Sequence, residues 1–531
     1  MGQPQMGLAV EKDSGNVEYK LMLVQDDART VEHLATQMRY RLTEGGGEAF
    51  YELGVSDDGS LVGLTEPELE RSLEVLRKAA AIVDARCRVV RLGEAPRGKI
   101  AEVLVRHCKE GVLPIYLMVP VLGNVDSGKS SIIGVLCSGE MDDGNGLAMA
   151  RVARYFHEIQ MRRTSSISTH LLGYDADGAV SNYKLLSPLD EAEVFLHSAK
   201  IISFVDLGGH ERYLRTTLKG VMGRVPDYVL LVIGANAGVI GTTREHLGVA
   251  VALRIPVVVA VTKVDMVPDE QVAKVLEETE ALLKLPGVNR IPLRVRSTDD
   301  VVVAARNMPR GRVAPIFTVS NTTGFGLNLM REFLNLLPPR LRWEEKLDRP
   351  FMMYVDEKFN VKGVGLVVNG VILQGSVAVD DLVQVGPFSD GSSQAVRVRS
   401  IHVNRVSVGR AFAGQDCCLA LAGVEFDQVE KGMCLLDKAL QVKPAREFEA
   451  RITVLHHPTT IWRGYNAVAH IQTIRQSVEF LDMSTEPLRT GTTAIVRLRF
   501  KYRSEFIRES DWFVFREGRT RGIGVITRTF S

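Results

Sequence analysis

One run of eight residues limits what this chain can fold into more than any other feature. Gly123-Asn124-Val125-Asp126-Ser127-Gly128-Lys129-Ser130 satisfies G-x-x-x-x-G-K-S, with an apolar run (115–122) before it and a helical stretch (131–136) after it. Glycines at this spacing let the backbone wrap a polyphosphate, while exposed N–H groups and the helix N-terminus supply positive potential. Lys129 would reach the β and γ oxygens and the Ser130 hydroxyl would ligate Mg²⁺, with Ser131 next in line. Strand, glycine loop and helix in that order demand a sheet whose strands end at a ligand, which is an α/β architecture.

The surroundings agree. IYLMVPVL, AKIISFVDL, DYVLLVIGA and PVVVAVTKV are nearly unbroken in apolar residues and alternate with helical or loop sequence. Such strands are buried on both faces, so a doubly wound, mostly parallel sheet is expected over 115–340, closing after LNLMREFLNLL at Pro338-Pro339. Pro120 sits inside the first of them, where a missing N–H costs a ladder bond unless a bulge absorbs it. Upstream, Leu69, Leu73, Leu76, Ala80 and Val83 form one helical stripe, preceded by a capping box of Thr65 and Glu68. With GEAFYELGV, CRVVRLGEA and KIAEVLVRH as strands and turns around two helices, residues 1–114 read as a small N-terminal α/β extension without a catalytic constellation. Downstream come short strands with Gly-rich turns: VGLVVNGVI, QGSVAV, DDLVQVG and VRVRSIHV, then FEARITVL, NAVAHIQT, TTAIVRLRF, DWFVFREG and GIGVITR. That texture predicts two β-barrel domains, 347–440 and 441–531.

A phosphate cradle does not choose a base. Asp206-Leu207-Gly208-Gly209-His210 closes one strand as D-x-x-G-H, and Thr262-Lys263-Val264-Asp265 closes a later one as T-K-x-D, followed by Met266. The first motif offers the Asp206 carboxylate to an Mg²⁺ shell and a glycine N–H, that of Gly209, to a γ-phosphate. The second offers Asp265 to guanine N1–H and the N2 amine, a pair of donors that adenine lacks on that edge. Ser320-Asn321, after APIFTV, is placed to meet guanine O6 through backbone N–H. All lie at carboxyl ends of expected strands, where open α/β sheets bind ligands, so GTP and GDP are the expected nucleotides.

Composition removes other classes. A chain of 531 residues, 45% hydrophobic, can bury several cores. Its best membrane candidate, 249–261, is cut by Arg254 and Pro256. The six cysteines, Cys87, Cys108, Cys137, Cys417, Cys418 and Cys434, form neither a CxxC pair nor zinc-finger spacing, and MGQPQMGLAVEK lacks signal-peptide character, so a cytoplasmic location is expected. The balance of 65 basic against 64 acidic residues hides a gradient, since 443–531 carry 15 basic and 9 acidic side chains. There Arg499, Lys501 and Arg503 are the candidates for phosphate contact, while Trp462, Trp512, Tyr465 and Phe500 are expected in barrel core. Neighbouring His456 and His457 face opposite sides of a strand and cannot chelate one ion.

The P-loop, D-x-x-G-H and T-K-x-D together resemble the translational GTPases. GVGLVVNGVILQGSVAVDDLVQVGP is similar to the second domain of elongation factor Tu, and FVFREGRTRGIGVI to its third. HEIQMRRTSSISTHLLGYD, SFVDLGGHERYLRTTLKGVMG, LHHPTTI and VFREGRTRGIG resemble the eukaryotic GTP-binding protein 1 and 2 group. The resemblance implies a P-loop GTPase domain followed by two β-barrels, hydrolysing GTP to GDP and phosphate with Mg²⁺, in which the γ-phosphate holds two switch loops. Lys129, Gly209 and His210 would be catalytic, His210 orienting the attacking water. Ser130, Asp206 and Ser166 would surround the metal, with Thr164 the alternative in switch I. The implied partners are aminoacyl-tRNA or the ribosome, met by a monomer without membrane contact. The rival role is a GTP-gated adaptor in RNA turnover or signalling, bound to a protein complex such as the exosome. Besides Pro120 inside the P-loop strand, three residues depart from the family pattern. Ser166 stands for a threonine, Ser165 replaces one of two apolar neighbours of the histidine while Val125 keeps the other, and Thr262 replaces the commoner asparagine. The second departure predicts hydrolysis without ribosomes; the third shortens a tie to the P-loop.

Overall fold

The computed structural model describes residues 8, 10–24, 27–108, 113–155, 158, 167–208, 223–440, 442–518 and 520–530. Four strands, β1 (Val17–Lys20), β2 (Glu48–Leu53), β3 (Ala85–Ala95) and β4 (Gly98–His107), form a sheet in the order β1-β2-β4-β3, with β1 parallel to β2 and the other pairs antiparallel. Amphipathic helices Ala28–Glu44 and Glu66–Ile82 cover one face, the second starting on the Thr65–Glu68 capping box. Alternation along β2 serves both faces. Ala49, Tyr51 and Leu53 pack with the helices, while Phe50 joins Val301, Val302, Phe333 and Leu337 in a core shared with the next sheet. Glu48 and Glu52, on the same side as Phe50, pair with Lys200 and Arg306 of that next unit. The N-terminal sheet is thus completed by the domain that follows it.

Seven strands make the central sheet: β5 (Ile115–Gly123), β6 (Ser168–Tyr174), β7 (Lys200–Asp206), β8 (Val229–Gly234), β9 (Val257–Thr262), β10 (Ile291–Arg294) and β11 (Val313–Thr318). Their order is β10-β11-β9-β8-β5-β7-β6, and every neighbouring pair is parallel except β6 against β7. Leu230 and Val232 of β8 belong to the core on one face, Val229, Leu231 and Ile233 to the core on the other, which accounts for the unbroken apolar runs. Chain order reverses at β5, between β7 and β8, and such a switch point is where these sheets take ligands. The bulge considered for Pro120 does not form, because the β5–β7 register passes through Pro120↔Val205 without a shift. Instead the proline sets where β8 joins. Below it the Met118 N–H goes to Asp227 Oδ2 at 3.0 Å, and the β8 ladder begins past it, at Val121↔Leu230.

Both barrels close with six strands. In the first, Met352–Tyr354, Cys434–Leu436, Leu382–Gly386, Gln394–Val403, Asp416–Ala422 and Gly365–Gln374 form a ring that returns to its first member. In the second the ring is Glu447–His456, Thr493–Phe500, Ile474–Met483, Asn466–Ile471, Trp512–Glu517 and Thr520–Phe530. Met352, Tyr354 and Leu436 of the first barrel pack into the core of the second, and the Tyr354 hydroxyl donates to Phe506 O at 2.8 Å. Phe500 lies in that core as expected. Trp462 does not. It is 55% exposed, with its indole N–H given to Thr460 Oγ1 at 3.0 Å. Trp512 sits at the barrel surface under Arg254 of the central domain. Among the described residues no helix is long and apolar enough to cross a membrane.

Candidate nucleotide site

β5 delivers the glycine loop at the switch point. Gly123 adopts φ 149°, and a Cβ there would come within 2.3 Å of the Val232 carbonyl oxygen, so a side chain would force β5 away from β8. Gly128, at φ 87°, starts the helix Lys129–Ser138. The loop folds onto one carbonyl: Ser127 Oγ and Lys129 Nζ both donate to Asn124 O, at 2.9 and 2.7 Å. Lys129 is buried, and burial pulls its ammonium down to about 8 against the opposing pull of Asp206 and Asp126. Beside it Ser130 Oγ donates to Asp206 Oδ2 at 2.5 Å, joining the start of the helix to the end of β7. Val125 is half-buried and Asp126 exposed on the rim.

The T-K-x-D motif and Ser320-Asn321 meet at the ends of β9 and β11. Thr262, fully buried, donates its hydroxyl to Ser127 O at 2.6 Å, so the shorter side chain does tie β9 to the P-loop. Lys263, at φ 60°, turns the chain out of β9 and carries Asp265 to the surface, with Met266 exposed beside it. Asp265 Oδ2 accepts the Thr322 hydroxyl at 2.8 Å. Partial burial raises that carboxyl, but the hydroxyls of Ser320 and Thr322 outweigh it and hold the group below the usual carboxylate range. The Ser320 N–H is already donated to Phe325 O at 3.0 Å, so the expected contact with guanine O6 falls to Asn321. Ser131 lies half-buried in the first turn of the helix.

Ser166, Thr164, Ser165, Gly209 and His210 lie outside the described residues. Two residues that the sequence did not single out belong to the site. Thr322 orients Asp265, and His246 Nδ1 accepts the Gly123 N–H at 3.1 Å. In a sequence, a histidine on the buried face of a helix reads as ordinary core, and a threonine in a Gly-rich turn reads as loop. Of the basic residues proposed for phosphate contact, Arg499 is paired with Glu447 and Arg503 with Glu505 and Glu430.

A hydroxyl and a carboxylate converging in a secluded spot suit a hard cation such as Mg²⁺, which takes oxygen ligands and keeps several from water and substrate phosphates. Among the described residues no group of three or more His, Cys, Asp or Glu could hold a metal. A cation at Ser130 and Asp206 would need further oxygen ligands beyond these two side chains.

Comparison with known proteins follows the same lines. The family model "Elongation factor Tu GTP binding domain" matches residues 115–339, and "Elongation factor Tu domain 2" matches 365–436. GTP-binding protein 1 of Xenopus laevis is 41% identical over 515 residues, covering 97% of this chain and 78% of that protein. GTP-binding protein 2 of Mus musculus is 42% identical over 532 residues, covering 98% and 88%. Among solved structures, translation elongation factor SelB from Methanococcus maripaludis in complex with a GTP analogue superposes with a TM-score of 0.57 at 18% identity, over 79% of this chain and 80% of that one, a likeness of fold. With its elongation factor Tu-type GTP-binding domain and two six-stranded barrels, the chain belongs to the translational GTPases, in the group of GTP-binding proteins 1 and 2.

Proposed function

We propose that this chain hydrolyses GTP to GDP and phosphate, and that the nucleotide state governs how its barrels meet aminoacyl-tRNA or the ribosome. The observation that supports the reading is that four strand ends meet along one edge of the central sheet, tied by hydrogen bonds. β5 brings Lys129 and Ser130, β7 brings Asp206, β9 brings Thr262 and Asp265, and β11 brings Ser320 and Asn321. Lys129 and the loop N–H groups would hold the β- and γ-phosphates, and Asp265 with Asn321 would read the guanine edge. Ser130 and Asp206 would hold Mg²⁺, which when bound offsets the phosphate charge. His210 would orient the attacking water, with Gly209 N–H at the γ-phosphate. Ser166 or Thr164 would complete the switch I contact. In this division of labour 115–340 is the nucleotide domain, 347–440 and 441–531 are the barrels that engage RNA, and 1–114 buttresses the nucleotide domain.

Calorimetric titration with GDP, GTP and ATP tests the site. Micromolar or tighter GDP binding that Asp265→Asn abolishes supports the reading, and equal affinity for ATP sinks it. Co-sedimentation with ribosomes, compared between GDP and a non-hydrolysable GTP analogue, tests the role. A GTP-dependent pellet supports translation, and indifference to nucleotide favours the adaptor in RNA turnover.

A further inference from the structure

The β5–β7 ladder ends at Val121↔Asp206, and the Gly123 N–H lies two residues beyond it. A buried N–H needs an acceptor. This one finds the imidazole Nδ1 of His246, 3.1 Å away and 123 residues along the chain, and His246 is itself buried. A ring nitrogen that accepts carries no proton, so the imidazole is neutral with its hydrogen on Nε2. His246 stands near the middle of the helix Gly241–Ala252. The far end of that helix rests on the second barrel. Val249 and Leu253 pack with Val514 and Ile523, and the guanidinium of Arg254 lies 5.1 Å from the centre of the Trp512 ring.

We infer that His246 is a positioning residue for the bound nucleotide, and that its helix makes nucleotide retention depend on how the C-terminal barrel is docked. The inference rests on the P-loop being the GTP site. Gly123 is the point where strand becomes loop, at a φ that only glycine holds without strain, so nothing in its own side chain fixes the direction of the peptide plane. The imidazole fixes it from outside. The helix is seated on the central sheet through Leu247 and Ala250 and on the barrel through Val249 and Leu253, so loosening the barrel contact loosens the seat that holds the histidine against the loop.

Release of a fluorescent GDP analogue from the full chain, followed by stopped flow, reads this directly. His246→Leu should speed release about tenfold, the order expected when a buried N–H loses its acceptor. His246→Asn, whose Oδ1 falls near the position of Nδ1, should restore the slow rate. Val514→Asp should also speed release although it is remote from the pocket, and adding His246→Leu to it should change little, since both act through one link. Arg254→Asn repeats the remote test from the surface without burdening the barrel core. Release from His246→Leu at the wild-type rate, or an asparagine variant as fast as the leucine one, overturns the positioning role. Wild-type rates in both Val514→Asp and Arg254→Asn, or effects that multiply in the double variant, overturn the link to the barrel. A wild-type chain that holds no GDP analogue at all removes the GTP-site reading itself.

Discussion

Glu48 is the anion around which the junction between the N-terminal sheet and the central sheet is built. Its fully buried carboxylate accepts from Lys200 Nζ at 2.9 and 3.1 Å and from Arg106 at 3.0 and 3.3 Å. Glu48→Gln keeps the volume and leaves two buried cations without that charge. Removing one side of a buried ion pair costs about 3–5 kcal/mol. The two cations respond differently. Arg106 cannot shed its proton, though it keeps Asp175 O, Asn335 O and Asn335 Oδ1 as acceptors. Lys200 can. Burial already pulls it down to about 8 against the pull of Glu48, and without that carboxylate it falls further. The variant lysine thus sheds its proton more readily, which brings the cost toward the lower end, about 3 kcal/mol, or roughly 100-fold faster opening of the junction. A lysine whose folded value lies below its unfolded one adds stability as pH climbs past the folded value. In the variant that climb begins at lower pH, so its deficit should narrow between pH 6 and 8. Hydrogen exchange of peptides spanning β2 and β4 measures the opening. Exchange within about threefold of wild type at pH 6 would refute the counter-ion role, and a deficit constant with pH would refute the part given to Lys200. Glu74→Gln, which breaks the exposed pair with Lys78, is the control and should change nothing.

Other perturbations bear on the pocket. Lys129→Ala should abolish nucleotide binding in calorimetry, because the triphosphate loses its buried cation. In the wild type, burial holds Lys129 to about 8, and a bound polyphosphate keeps it charged, so nucleotide affinity should fall as pH rises above 8; affinity unchanged from pH 7 to 9.5 would count against that cation. Thr262→Val keeps the shape but leaves Ser127 O without its 2.6 Å donor, and should weaken GDP binding about tenfold; an unchanged affinity would show the tie to be dispensable. His210→Ala should slow single-turnover hydrolysis about 100-fold with GTP affinity nearly intact. Lost binding with preserved turnover would reassign that histidine.

Short motifs were legible in the sequence because in them the spacing is the chemistry: a glycine loop, a strand-end carboxylate and the T-K-x-D aspartate each lie within a few bonded residues. The parallel sheet was legible too, since burial on both faces leaves nearly unbroken apolar runs. The barrel strand Ile474–Met483 escaped for a local reason. Gln476 takes an inward position, satisfied by Tyr502 N–H, Arg503 N–H and Glu505, and a shift in register between Phe480 and Asp482 breaks the alternation. What tertiary structure alone decided is which distant groups complete one another. Gly123 meets His246 across 123 residues, Asp265 meets Thr322 across 57, and Glu48 meets Lys200 across 152. A peptide N–H, a carboxylate or an ammonium leaves no pattern in its own neighbourhood that names such a partner. Desolvation creates the need for one, and the packed fold supplies it.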